Sequence, residues 1–205
     1  MTSARDEVLA YAYRPGAIYL NVTNRCSNDC SFCVRRRTPN LAGYDLRLRR
    51  EPPLEAVRRG LDEVREELGG VVEEVVFCGY GEPTYRLDVI EALGRELRDE
   101  GICVRLNTNG QAALLNPERD VVATLLKAVD VVSVSLNAPN VERYVELCRP
   151  RFGAEAFEAL QRFAVDCRDA GIEVWTTAVA FTLAAKEIVA CETLAVELGV
   201  KFRRR

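Results

Sequence analysis

The chain has no histidine among its 205 residues. That absence excludes whole classes of chemistry. No Ser-His-Asp or Cys-His relay can be assembled. No imidazole can serve as acid, base or pH switch, and no metal can be held by histidine. Lysine is nearly missing too, so arginine carries almost all the positive charge. Nowhere does an apolar run reach the roughly 18 residues of a membrane span. No apolar N-terminal stretch marks secretion, and no lipidation motif is visible. The eight cysteines are therefore expected in a reducing cytoplasm rather than in a disulfide framework. The net charge of -3 gives no global pull toward nucleic acid. A chain of this size, 48% hydrophobic and 29% charged, suits one soluble domain over residues 1–205 with no accessory domain. Chemistry is left to a cofactor, a carboxylate, a thiol, a tyrosine or an arginine.

What is present is a cysteine triplet, Cys26-x3-Cys30-x2-Cys33, directly after the strand-like run Ile18-Tyr19-Leu20-Asn21-Val22. Three thiolates can hold three irons of a cubane, leaving the fourth iron open. Iron–sulfur cubanes are usually held by four cysteines, and an open position is also how catalytic zinc sites work. A zinc knuckle would want a fourth ligand, and Cys78, Cys103, Cys148, Cys167 and Cys191 are scattered along the chain. Cys103, Cys167 and Cys191 lie in apolar or helical contexts and read as core.

Strand-like and helical patterns alternate throughout. Strands are expected at 17–22, 73–78, 103–108, 131–136, 173–179 and 200–203, with helices over 53–68, 86–100, 118–128, 154–170 and 186–198. Pro53 opens a helix, and Gly69-Gly70, Gly101, Gly171 and Gly199 follow helix ends. This rhythm means a parallel sheet with right-handed crossovers, either doubly wound or an open barrel. Val132, Val134 and Leu136 alternate with Ser133, Ser135 and Asn137, and Ile18, Leu20 and Val22 with Tyr19, Asn21 and Thr23. Strands covered on both faces would be apolar throughout. One polar face instead points to an α/β fold built as an open six-stranded parallel (β/α)6 partial TIM barrel around a polar ligand.

The strand ends carry further motifs. The second strand runs into Phe77-Cys78-Gly79-Tyr80-Gly81-Glu82-Pro83-Thr84, where glycines let a backbone approach a ligand and a fixed Glu can accept from an ammonium. The third ends in Asn107-Thr108-Asn109-Gly110 and the fourth in Ser133-Val134-Ser135-Leu136-Asn137. Short polar side chains there suit a ligand at the C-terminal ends of parallel strands. As plain turn chemistry, Asn-Gly would also serve.

The segment Asn24-Arg25-Cys26-Ser27-Asn28-Asp29-Cys30-Ser31-Phe32-Cys33 resembles the signature of the radical S-adenosylmethionine (SAM) enzymes, and Gly81-Glu82-Pro83 resembles their Gly-Glu-Pro motif. Tyr80 stands where the commoner form has a glycine. The runs Gly79–Thr84, Leu106–Gly110 and Ser133–Asn140 are similar to those of the small radical SAM proteins linked to TatD-type nucleases. The resemblance implies a [4Fe-4S] cluster on Cys26, Cys30 and Cys33, with SAM on the open iron. It implies SAM contacts from Phe32, Gly79, Tyr80, Gly81, Glu82, Asn107, Thr108, Asn109, Ser133, Ser135 and Asn137, with Glu82 on the ammonium. One electron from flavodoxin or ferredoxin would then yield a 5′-deoxyadenosyl radical.

The substrate is less legible. Arg35, Arg36, Arg37, Arg47, Arg49 and Arg50 face only Asp45 within residues 35–50, a run that could receive phosphate, carboxylate or nucleic acid, or be a solvated loop. Arg143, Tyr144, Cys148 and Arg149, after the fourth strand, could line the same mouth. Cys148 reads either as a hydrogen-atom donor or as a buried structural thiol. A small open barrel leaves room for a protein substrate. Two other functions stand beside the enzyme: an iron–sulfur electron carrier or sensor without SAM, and a zinc-stabilised nucleic-acid-binding module around the arginine-rich loop.

Overall fold

The computed structural model describes residues 7–38, 40–41 and 43–205. The first six residues of the expected 1–205 domain, and Pro39 and Ala42 of the arginine-rich segment, lie outside the described residues. A hairpin comes first: β1 (Ala10–Arg14) and β2 (Ala17–Leu20) pair antiparallel around Pro15 and Gly16, where Gly16 takes φ +72°. The one-turn α1 (Val34–Arg37) follows the cysteine loop. Then come α2 (Leu54–Glu67), β3 (Glu74–Phe77), α3 (Leu87–Asp99), β4 (Cys103–Thr108), α4 (Ala112–Leu115), α5 (Val121–Ala128), β5 (Val131–Ser135), α6 (Val141–Cys148), α7 (Glu155–Asp169), β6 (Glu173–Ala178), α8 (Ala185–Glu197) and β7 (Lys201–Arg204).

The sheet has seven strands in the order β1-β2-β3-β4-β5-β6-β7, parallel from β2 to β7. Right-handed crossovers that never change direction leave the long helices on one face. A doubly wound sheet would reverse its order once, so that option falls. The six expected strands are β2–β7, and the expected count of six is corrected by β1. Its signal was present: Pro15-Gly16 between Tyr11, Tyr13 and Tyr19 is a hairpin pattern. The sheet remains open, with β1 and β7 as its edges. No described helix is long and apolar enough to cross a membrane.

Alternation along each strand divides the molecule into two packed regions. Ile18, Leu20, Val75, Phe77, Val104, Leu106, Val132 and Val134 bury one face against Leu61, Leu93, Leu125, Leu160 and their neighbours on the helices. The other face holds a smaller cluster of Tyr11, Tyr19, Val76, Leu46 and Tyr80. This tyrosine side is braced below by Glu74, which pairs with Arg105 (2.9 Å) and with Arg14. Burial raises the Glu74 pKa, but the two guanidiniums more than offset it and hold the carboxyl below its ordinary range.

Helices α3 and α5 touch through Gly94, whose added Cβ would stand 2.2 Å from the Ala128 carbonyl oxygen and 2.9 Å from its Cβ. The Gly94→Ala variant therefore loses more by overpacking, about 1–3 kcal/mol, than the up to about 1 kcal/mol it gains in helix propensity. Urea denaturation should show a lowered midpoint at an unchanged slope. A raised midpoint would mean that the two helices separate freely.

Candidate active site

The cysteine loop leaves β2 at Asn21, whose buried amide donates to the carbonyls of Val8 (3.0 Å) and Leu46 (2.8 Å) and accepts from the Tyr80 N–H (3.3 Å). The loop is then laced on both sides. Glu82 N–H donates to Arg25 O (2.7 Å) and Arg151 N–H to Ser27 O (2.7 Å), while Asp29 and Ser31 N–H donate to Cys148 O and Leu147 O (3.0 and 2.9 Å). These bonds tie the loop to the end of β3 and to the end of α6. The glycines of the second strand's motif serve this crossing. A Cβ on Gly79 would lie 2.0 Å from Asn21 Oδ1, and one on Gly81 2.3 Å from Thr23 O and 2.6 Å from Arg25 O. The close approach they permit is of Gly79 to the Asn21 side chain and of Gly81 to the backbone of Thr23 and Arg25.

All three cysteines of the triplet are free thiols and half-buried. Burial, with a smaller push from Glu82, raises the Cys26 pKa to about 12. Cys30 is held below the ordinary thiol range, first by a hydrogen bond from Cys148. Cys148 is fully buried and moves upward, by that same contact and by burial. Asn137 Nδ2 also donates to Cys148 Sγ at 3.9 Å. Cys148 thus lies behind the loop in the core, against a cysteine of the triplet.

Glu82 is 2% exposed, and its carboxylate accepts four hydrogen bonds. They come from Thr84 N–H (3.1 Å), Thr84 Oγ1 (2.8 Å), Thr108 Oγ1 (2.7 Å) and Asn109 N–H (2.6 Å). Burial still leaves its pKa above the ordinary value, although the donors oppose the shift. The resemblance implies this carboxylate on the ammonium of SAM; in the structure it accepts from internal donors that staple the end of β3 to the end of β4. Asn109 continues the staple by donating to Ser27 Oγ (2.8 Å). Gln111 Nε2 donates to Asn28 Oδ1 (2.7 Å) and to Tyr144 Oη (3.1 Å), and Asn28 Nδ2 also donates to Tyr144 (3.1 Å). Ser27, Asn28, Thr84 and Gln111 were not singled out from the sequence as site residues. Two of them sit inside the cysteine motif itself, which was the available signal.

The remaining residues distribute over the inner sheet face. Asn107 is half-buried and accepts from Arg105 (2.8 Å), and Ser133 is 6% exposed. Ser135 accepts from Arg205 (2.9 Å). Asn137 is 4% exposed in a left-handed conformation, φ +56°, which asparagine tolerates. Its Oδ1 is a buried acceptor that meets no donor among the described residues. Tyr80 is buried in the tyrosine cluster, and Phe32 packs half-buried against the main core. The arginines are drawn elsewhere. Arg35 donates to Asn24 O (3.2 Å), Arg36 pairs with Asp29, and Arg37 lies 4.6 Å over the Phe181 ring. Arg143 pairs with Glu146 (2.7 Å) and Glu187 (3.0 Å) at the foot of α8.

The donor set fits a cubane. Three half-buried thiols stand on one braced loop, and one already has its thiolate favoured. Among the described residues no three His, Cys, Asp or Glu side chains converge as around a single ion. A cubane gives each thiolate its own iron. Asn137 Oδ1, just past the end of β5, is a buried acceptor with no partner among the described residues.

A model of the Radical SAM superfamily matches residues 20–188. Comparison with curated proteins finds no match. Among solved structures, Streptococcus suis SuiB bound to precursor peptide SuiA is similar at 20% identity, TM-score 0.70, over 93% of this chain and 39% of that one. HydG, a maturase of the [FeFe]-hydrogenase, is similar at 19% identity, TM-score 0.65, over 92% of this chain and 42% of that one. A radical SAM methyltransferase from Sphaerobacter thermophilus shows 18% identity and a TM-score of 0.56, over 94% of this chain and 67% of that one. The chain thus spans about two fifths of SuiB and HydG, and these likenesses bear on the fold. With the family match running from the end of β2 into α8, the chain belongs to the Radical SAM superfamily.

Proposed function

We propose that this chain is the SAM-cleaving core of a radical SAM enzyme, with Cys26, Cys30 and Cys33 as ligands of its [4Fe-4S] cluster and its sheet curled as a partial TIM barrel. One observation carries the assignment of residues. The cysteine loop, the Gly79–Thr84 segment and the Asn107–Gln111 segment are joined by the Glu82, Ser27–Asn109 and Asn28–Gln111 bonds into one rigid unit. When bound, the cluster and SAM supply a one-electron reductive cleavage that generates a 5′-deoxyadenosyl radical.

The protein's part is placement and shielding. Asn107, Ser133 and Ser135 present polar groups toward SAM from the inner face, and Asn137 adds a buried carbonyl oxygen. Glu82 acts through Asn109 and Thr108 as a positioning residue for the rim of the SAM site. The tyrosine cluster keeps the β1 side dry. Electrons come from a flavodoxin- or ferredoxin-type donor, and eight free thiols support a cytoplasmic setting. A carrier of electrons alone would leave this rim without use.

Anaerobic reconstitution followed by electron paramagnetic resonance (EPR) of the dithionite-reduced protein tests the assignment. The expected result is a cubane signal that changes on adding SAM, with 5′-deoxyadenosine released. A cubane signal indifferent to SAM would instead support the electron carrier.

A further inference from the structure

The last strand carries cations that the SAM site does not use. Register places Arg203 opposite Thr177 and Lys201 opposite Trp175, and Ser133 and Ser135 oppose Trp175 and Thr177 in turn. Lys201, Arg203 and Arg205 therefore share the inner sheet face, while Arg204 points outward and pairs with Glu192. Lys201 is neutralised by Glu173 (2.5 Å) and covers the Trp175 ring (4.9 Å). Arg203 and Arg205 have no carboxylate partner among the described residues.

Arg205 is held firmly: its N–H donates to Ala178 O (2.9 Å) and its carbonyl accepts from Ala180 N–H (2.8 Å). From there its guanidinium crosses β6 to reach Ser135 Oγ on β5 at 2.9 Å. It is exposed to solvent, and its partial desolvation, with the like charges of Arg105 and Arg203 nearby, pushes its pKa down.

Charged edge strands commonly serve only to block sheet-to-sheet association. Such a guard needs no side chain reaching across β6 to Ser135 on the inner face, and of the three inward cations it would not leave two without a carboxylate. We propose that Arg203 and Arg205, with Ser135, form the substrate-anchoring site of this enzyme, and that they take a dianionic phosphate group. Two uncompensated guanidiniums call for two negative charges, and arginine matches phosphate oxygens with paired N–H donors. The site lies on the open β7 edge, beside the strand ends assigned to SAM. This assignment rests on the radical SAM reading for its substrate role.

The single tryptophan of the chain, Trp175, is a built-in reporter next to the site. The reconstituted holoenzyme is titrated with inorganic phosphate at constant ionic strength while Trp175 fluorescence is followed. A saturable change is expected, weakened at least about 10-fold in the Arg203→Gln/Arg205→Gln double variant. The Arg203→Lys/Arg205→Lys variant should recover part of the affinity. Thermal melts confirm that each variant is folded. No saturable change in the wild type, or an equal response in the folded Gln variant, would overturn the site. A loss of SAM affinity in the Gln variant would assign the arginines to the SAM carboxylate and overturn it as well. Failure of SAM cleavage with phosphate binding intact would sink the enzymatic reading and leave the anion site standing.

Discussion

Replacing Cys26, Cys30 or Cys33 with alanine is expected to leave the reconstituted protein without iron–sulfur absorption, whereas Cys148→Ala keeps it. Changing groups that merely support metal ligands costs about 10–100-fold in metal affinity. Losing a ligand should cost at least about 100-fold, and SAM cleavage should fall to background with it. Cys148 touches Cys30 from the core side but stands outside the loop. Its removal costs about 0.5–3 kcal/mol of packing. Iron content and absorption give the answer together. If Cys148→Ala lost iron as completely as Cys30→Ala, the thiol would be a fourth ligand and no iron would stay open for SAM.

Glu82→Ala should be the most destabilising single change at the strand ends. The alanine orphans two buried backbone N–H groups, those of Thr84 and Asn109, at about 1–3 kcal/mol each. The sum of roughly 2–6 kcal/mol approaches the whole stability of an ordinary domain, about 5–15 kcal/mol. Glu82→Gln keeps the shape and one good acceptor, so about 1–3 kcal/mol is expected. Because Asn109 and Gln111 then hold Ser27 and Asn28 less firmly, SAM affinity should fall in the Gln variant while its cluster spectrum persists. Denaturation midpoints and SAM binding by calorimetry separate the two effects. An alanine variant as stable as the wild type would show that the four bonds on this carboxylate bear no weight.

Much of this was legible along the chain because the informative residues are neighbours in sequence. Cys26-x3-Cys30-x2-Cys33 and Gly81-Glu82-Pro83-Thr84 are contiguous, and β4 ends where Val104, Leu106 and Thr108 stop alternating. The hairpin strand β1 was missed because its Ala-Tyr-Ala-Tyr run is short and weakly apolar. Helix α6 was missed because eight residues give barely two turns of periodicity, although Asn140 caps it by accepting from Arg143 N–H (2.9 Å). The staples were beyond any local pattern. Asn109–Ser27, Gln111–Asn28 and Asn28–Tyr144 join positions 82, 83 and 116 apart. The role of Glu82 illustrates the limit: its type and place were readable, but which donors meet it depends on how two loops cross.

Those long-range staples also order the protein's biogenesis. Small zinc modules often need their metal to fold at all. Here the cradle of the cysteine loop is completed by Glu82 and Asn109 from the middle of the chain and by Tyr144 on α6. A nascent chain that has only just emerged past Cys33 has no such walls. Iron delivered co-translationally would meet a floppy thiol triplet, whereas iron delivered after α6 has docked meets a finished seat. With the cluster assigned as proposed, the seat for iron is complete only in the folded apoprotein.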